Sequence, residues 1–177
     1  WLQQHLNCIK TQLSQNVVAN MKTLLILSTL FICSCGGSKH DSNSNKNGKQ
    51  SIIYCGENFE SEETIKLYEK GIRLSESGKL TEGADILREA IELEPNNALL
   101  HHERGLILSD LKGNIEEAFL ELDLSIELTD DKKTKMIRIE NRGLTHLGAG
   151  NMEKACNDFH IAKEHGNCQQ YIDEHCK

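Results

Sequence analysis

Long apolar runs, aromatic residues and catalytic motifs are all scarce in this chain of 177 residues. The sequence contains one Trp and four Phe, and its most apolar stretch covers only residues 24–33. A helix that spans a bilayer needs ~20 apolar residues, so we expect no transmembrane helix in this stretch. The sequence also lacks a nucleophile elbow, a phosphate-binding loop and a metalloprotease motif. These absences favour a protein that is not an enzyme.

Acidic residues outnumber basic ones, 27 to 20, and all of the acidic residues lie after Cys35. From Cys35 onward the chain carries 18 basic and 27 acidic residues, which gives a net charge of −9. Nucleic acids and anionic lipid surfaces both attract Lys and Arg. We therefore expect no nucleic-acid partner and no electrostatic docking on a membrane. Nothing in the sequence points to a cofactor or to a small-molecule substrate.

The apolar stretch has the layout of a secretory signal peptide. Lys22 supplies the positive charge, a core rich in Leu and Ile follows, and small residues end it. The sequence Ile-Cys-Ser-Cys-Gly at 32–36 resembles the bacterial lipobox. This resemblance implies that Cys35 becomes the mature N-terminus and carries the lipid. The alternatives are an ordinary signal peptide cut near Ser34 and a buried apolar helix.

The chain before the lipobox divides into two parts. Met21 fits as the first residue of the precursor, so the signal peptide covers 21–34. Residues 1–20 contain no acidic residue and no initiating Met. We interpret them as upstream or artefactual sequence and exclude them from fold reasoning.

Residues 35–60 are expected to hold the lipidated Cys and a flexible linker. Residues 36–51 contain no large apolar side chain, so the segment cannot bury enough surface to offset its ordering entropy. Its function would be to hold a folded domain away from the membrane. The short apolar patch at 51–59 either packs on the first helix or is irregular, and the sequence does not decide between the two.

Helical periodicity begins near residue 61, and three similar segments follow. Each segment has a Gly within a helix, a second Gly seven or eight residues later, and then a bulky apolar residue. The first glycines are Gly71, Gly105 and Gly143; the second are Gly78, Gly113 and Gly150; the bulky residues are Leu87, Leu122 and Phe159. The first Gly would let two antiparallel helices approach closely, and the second can adopt positive φ to end a helix. Asn114 and Glu117 also predict a capping pair.

This pattern resembles the tetratricopeptide repeat, a helix–turn–helix unit of 34 residues. Gly71 and Gly105 are 34 residues apart, and Gly143 follows 38 residues later. The resemblance implies an all-α fold, a short right-handed solenoid of three such repeats with a C-terminal capping helix. A generic helical bundle is the alternative. The domain is expected to cover 61–177, with repeats at about 64–97, 98–132 and 136–167 and the cap at 168–176. Helices are expected near 64–77, 80–93, 98–111, 114–128, 134–148, 151–164 and 168–176.

Three cysteines lie in the C-terminal part of the chain, and export would favour disulfides between them. Cys168 and Cys176 share a predicted helix with ~12 Å of rise between them. Because a disulfide needs Cα atoms within ~7 Å, these two should not pair directly. Cys156 should face the cap, so we favour a Cys156–Cys176 disulfide, with Cys156–Cys168 second. The stretch at 155–167 with the terminal His-Cys also resembles C-terminal repeats of Bacteroidetes repeat lipoproteins.

A metal site is the competing interpretation of the same region. Cys156 and His160 lie four residues apart on one helix face, and further Cys and His residues are near in sequence. Four such ligands can form a tetrahedral zinc site. The further candidates are His165, Cys168, His175 and Cys176. No C-x₂-C pair is present and export favours oxidation, so we expect no metal.

The first helices of the repeats should line a groove for a peptide. The candidate groove residues are Tyr68, Glu69, His102, Glu103, Glu140 and Asn141. A solvated acidic helix face is the alternative interpretation. The favoured function is a non-catalytic interaction or scaffold module, bound to another protein and lipid-anchored at the bacterial envelope, with the outer membrane as the expected site. The other candidates are an accessory part of a larger envelope assembly and a small exported metal-binding protein or hydrolase that uses the C-terminal Cys and His residues.

Overall fold

Three short strands precede seven α-helices in the residues that the structure, a computed structural model, describes: 42–44, 50–54, 57–164, 166 and 168–176. The strands are β1 (Ser42–Ser44), β2 (Gln50–Tyr54) and β3 (Glu57–Phe59). The helices are α1 (Glu62–Glu76), α2 (Leu80–Leu93), α3 (Ala98–Ser109), α4 (Ile115–Glu127), α5 (Lys132–Gly148), α6 (Met152–Ile161) and α7 (Cys168–His175). From residue 62 onward the described chain is helical, as expected. The signal peptide, Cys35 and Cys55 lie outside the described residues.

The odd-numbered helices α1, α3 and α5 each begin at a side chain that caps the first turn. Ser61, Asn97 and Asp131 accept a hydrogen bond from a backbone N–H two or three residues later, at 3.1, 3.2 and 2.7 Å. Such caps satisfy N–H groups that have no partner within the helix. The start of each odd helix is therefore fixed by local sequence.

Glycines separate the two helices of each hairpin. Gly78, Gly113 and Gly150 have φ angles of 84°, 89° and 79°, which confirms that these turns use the left-handed region open to glycine. The expected capping pair of Asn114 and Glu117 is wrong, because Asn114 makes no side-chain cap bond. Glu117 instead accepts a hydrogen bond from Arg104 Nη2 at 2.6 Å, so a tertiary contact replaces the local one.

The three hairpins share one close approach between their helices. A Cβ atom at Gly71 would lie 2.8 Å from Leu87 Cγ, and one at Gly105 would lie 2.8 Å from Leu122 Cγ. At Gly143 the corresponding neighbour is the ring of Phe159, at 2.9 Å. These distances are too short for a side chain, so the bulky residue of one helix packs on the bare backbone of the other. The expectation that the first glycines permit close helix packing is confirmed.

Ion pairs also join the helices of the second and third hairpins. Arg104 of α3 pairs with Glu117 and Glu121 of α4. Arg142 of α5 pairs with Asp158 of α6 at 2.6 Å. Both arginines immediately precede the packed glycine, so the same helix position carries the charge in both hairpins.

Successive hairpins pack side by side. Helix α3 contacts α1, α2, α4 and α5, and α6 contacts both α5 and α7. One apolar cluster, around Leu87 and Leu100, joins the first four helices to Phe59. A second cluster, around Ile139 and Phe159, joins the last three helices. Because α3 contacts both α1 and α5, these three helices are neighbours. We call the surface that α1, α3 and α5 form the odd-helix face.

The N-terminal strands differ from the expected flexible linker at 35–60. β1 pairs antiparallel with β2, and β2 pairs antiparallel with β3. Phe59 is fully buried against the helices and stacks obliquely on Tyr68, with ring centroids 5.6 Å apart. Residues 36–51 contain no large apolar side chain, whereas Phe59 buries an aromatic ring that holds β3 on the helices. The helical unit therefore includes β3.

Candidate functional site

The odd-helix face contains all six residues that the sequence placed in a groove. Tyr68 and Glu69 lie on α1, His102 and Glu103 on α3, and Glu140 and Asn141 on α5. The structure joins Asn141 Nδ2 to His102 Nε2 at 3.1 Å. Glu69 pairs with Arg73 of its own helix, at 3.4 Å.

These residues differ in their exposure to solvent. His102 is 6% exposed and Glu140 is 3% exposed, so neither lines an open groove. Tyr68, Glu69, Glu103 and Asn141 are partly exposed. Glu140 is buried because its carboxylate lies against Gly166 and fills the space that a Cβ atom would need there. The turn before α7 therefore closes the α5 end of the face.

Strand β3 covers another part of the face. Phe59 packs on Tyr68 of α1, and the carbonyl oxygen of Asn58 accepts a hydrogen bond from Asn97 Nδ2 at 3.1 Å. Glu57 Oε1 accepts one from Arg138 Nη2 of α5 at 2.9 Å. Three consecutive residues of an extended segment thus reach α1, the start of α3, and α5.

A buried carboxylate fixes the point where β3 enters α1. Glu94 is 5% exposed, and its Oε1 accepts hydrogen bonds from the backbone N–H groups of Glu60 and Ser61 at 2.8 and 3.0 Å. Its Oε2 accepts a third, from Asn97 Nδ2 at 2.9 Å. Hydrogen bonds to an ionised acceptor are stronger than neutral ones. The exit of β3 is therefore held in a defined direction along the face.

Arg138 carries a buried positive charge at the centre of this arrangement. The residue is 3% exposed and donates to Ser125 O at 3.3 Å and to Thr129 Oγ1, in addition to Glu57. A buried cation is costly unless it is paired and fully hydrogen-bonded. Glu57 thus acts as the counter-charge for a guanidinium that solvent hardly reaches.

Glu103 is the second acid beside Arg138. Although Glu103 is partly exposed as a residue, desolvation of its carboxyl group raises its pKa to about 7. The positive charge of Arg138 opposes this rise, and the negative charge of Glu57 adds to it. Burial also lowers the pKa of Arg138, while Glu57 and Glu103 raise it. The site therefore combines one cation with two acids, and the pKa of Glu103 lies well above that of an ordinary carboxyl.

Sequence reasoning missed four members of this site, namely Glu57, Glu94, Asn97 and Arg138. Arg138 interrupts the apolar stretch Met-Ile-Arg-Ile at 136–139, and a cation in such a stretch calls for a buried partner. Its partner lies 81 residues earlier, at a distance in sequence that no local pattern spans. The sequence therefore indicated that Arg138 needs a buried partner, but it did not indicate that this partner is Glu57.

The C-terminal cysteines form a structural link. Cys156 and Cys176 are joined by a disulfide with Cα atoms 5.5 Å apart, and Cys168 is a buried thiol. His160 Nδ1 donates to the carbonyl oxygen of Cys156 at 2.7 Å, and His165 lies outside the described residues. Across the described parts of the chain, no group of three or more Cys, His, Asp or Glu side chains is placed to hold a metal ion.

Comparisons with known proteins give no indication of function. The chain matches neither a protein-family description nor a curated protein. Among the described residues, every helix is too short or too polar to cross a membrane.

Proposed function

We propose that this chain is a non-catalytic protein-interaction module whose odd-helix face binds an extended segment of another protein. The observation that carries this proposal is that β3, an extended segment of the chain itself, already lies along this face. It is held there through an aromatic ring, a backbone carbonyl and a carboxylate. A surface that orders one extended peptide has the chemistry to order another of similar character.

We further propose that the first six helices are three repeats of the tetratricopeptide type. Support comes from the recurrence of the same packed glycine and the same left-handed turn in each hairpin. The contacts of α3 with both α1 and α5 add that the first helices of the hairpins are neighbours. Helix α7 would then cap the apolar end that a short repeat array leaves open.

Photo-crosslinking tests the binding face directly. A photoreactive residue in place of Glu69, whose side chain is 35% exposed on α1, is expected to capture a discrete partner in cells that make the protein. Glu89, an exposed acid on α2, provides the matched control position. Recovery of the same adducts from both positions, or of none from position 69, would contradict binding at the odd-helix face.

We also propose that the module is attached to a bacterial envelope membrane, through lipid on Cys35. The support is the residue pattern at 32–36, and stable anchoring requires more than one acyl chain. Metabolic labelling with an alkyne fatty acid is expected to mark the native protein and the Cys33→Ser variant. The Cys35→Ser variant should lose the label, and a labelled Cys35→Ser protein would rule out this anchor.

A further inference from the structure

Alternate residues of β3 face the helices. The Glu57 side chain is 31% exposed and bonded to Arg138, and Phe59 is fully buried, whereas Asn58 between them is exposed. This alternation is the period of two expected of an extended strand. The odd-helix face therefore contacts one acidic and one aromatic side chain. The single residue between them points its side chain to solvent.

The contact at the intervening residue is independent of its side chain. Asn97 Nδ2 donates to the backbone carbonyl of Asn58, a group that every residue has. Selectivity must then come from the two flanking sites, which are the apolar surface around Tyr68 and the buried guanidinium of Arg138. Arg138 favours a carboxylate because an uncompensated buried charge is costly.

We infer that the odd-helix face selects an extended partner segment in which an acidic residue precedes an aromatic residue by two positions, and that β3 is an internal copy of that segment which the partner displaces. This inference rests on the proposed function. It adds a sequence class for the partner and a reason why the face is covered in the free protein.

Displacement of Glu57 leaves Arg138 with a second acid. While Glu57 is in place, burial and the negative charge of Glu57 both raise the pKa of Glu103. Once Glu57 leaves, one source of repulsion is removed, and Glu103 ionises more readily beside Arg138. The buried guanidinium therefore keeps a nearby negative charge during the exchange, but it lacks the carboxylate acceptor that Glu57 supplied until the partner segment provides one.

The part of the N-terminal segment that a partner can displace ends at Glu60. Strand β3 has only three residues and pairs with a single strand, β2, so few backbone bonds hold it. The two N–H groups of Glu60 and Ser61 remain on Glu94. The covering segment can thus open up to Glu60 without disturbing the start of α1.

A peptide that copies the internal segment tests this inference. The probe is a fluorescein-labelled peptide of residues 50–61 with Cys55→Ser, and its binding to the full chain is followed by fluorescence anisotropy. The Glu57→Gln protein, whose own segment is held less firmly, is expected to bind the probe about tenfold more tightly than the parent protein, a difference that each 1.4 kcal/mol of competition produces. A probe that itself carries Glu57→Gln should lose binding to both proteins, and one with Asn58→Ala should retain it.

Changes confined to the probe keep the test independent of protein folding. Equal binding of the parent and Glu57→Gln probes would overturn selection of the acid, and undetectable binding of the parent probe to both proteins would overturn the inference as a whole. Equal binding of the parent probe by the two proteins would overturn displacement. If photo-crosslinking at position 69 still captures a partner in any of these cases, the proposed function stands and only the sequence class is wrong.

Discussion

Replacing Arg142 by Met is expected to lower the free energy of unfolding by about 3–5 kcal/mol, because it strands a buried carboxylate without a partner. Asp158 is 2% exposed and receives two hydrogen bonds from Arg142, from Nε at 2.9 Å and from Nη2 at 2.6 Å. A third, from Nη1 to Asp123, lies at the surface. These bonds to carboxylates raise the pKa of Arg142 above its usual range. Chemical denaturation followed by circular dichroism measures the effect.

Two further variants separate the buried charge from the side chain that carries it. The double variant Arg142→Met with Asp158→Leu is expected to recover most of the lost stability, since no unpaired charge remains inside. Arg73→Met removes a partner of Glu69 on the surface and is expected to cost at most about 0.5 kcal/mol. If the single variant at 142 is as stable as the one at 73, the ion pair does not stabilise the third hairpin.

Loss of the Cys156–Cys176 disulfide is expected to destabilise the C-terminal end by roughly 3 kcal/mol, the value for a loop of about 20 residues. The two cysteines are 20 positions apart and join α6 to the residue after α7. Helix α7 has only eight residues, and its Tyr171 ring stacks on Phe159 at 5.0 Å. We expect α7 to open before the rest of the chain once the covalent link is gone.

Hydrogen exchange resolves that local effect from global unfolding. The Cys156→Ala/Cys176→Ala variant should exchange faster in 168–176 while α1 and α2 remain protected. Addition of dithiothreitol should change the parent protein in the same way and leave the variant unaltered. Unchanged exchange in the reduced protein would mean that packing on Phe159 alone holds α7.

Most of the helical fold could be predicted from the sequence, because its determinants are local. The turns at Gly78, Gly113 and Gly150 need positive φ, and glycine is the residue that provides it at low cost. The ends of the seven expected helices differ from the observed ones by three residues at most. Spacing and turn residues were sufficient there.

The candidate site could be predicted only in part. The six groove residues do lie on the odd-helix face, but the burial of His102 beside Asn141 and of Glu140 against Gly166 depends on tertiary contacts. The link between Glu57 and Arg138 joins residues that are 81 positions apart in the sequence. Tertiary packing determines which side chains pair in this way, and the periodicity of the sequence does not predict it.

The separation of that pair along the chain also affects the order of folding. Each helical hairpin joins residues that are close in sequence, so its closure costs little chain entropy, whereas the cost of closing a loop rises with its length. We therefore expect the hairpins to form first and the 81-residue connection between Glu57 and Arg138 to close last. During synthesis and refolding the odd-helix face would then pass through a stage in which it is assembled but still open. Under the proposed function, a partner would then bind a newly made chain most easily in that open stage, before its own N-terminal segment has docked.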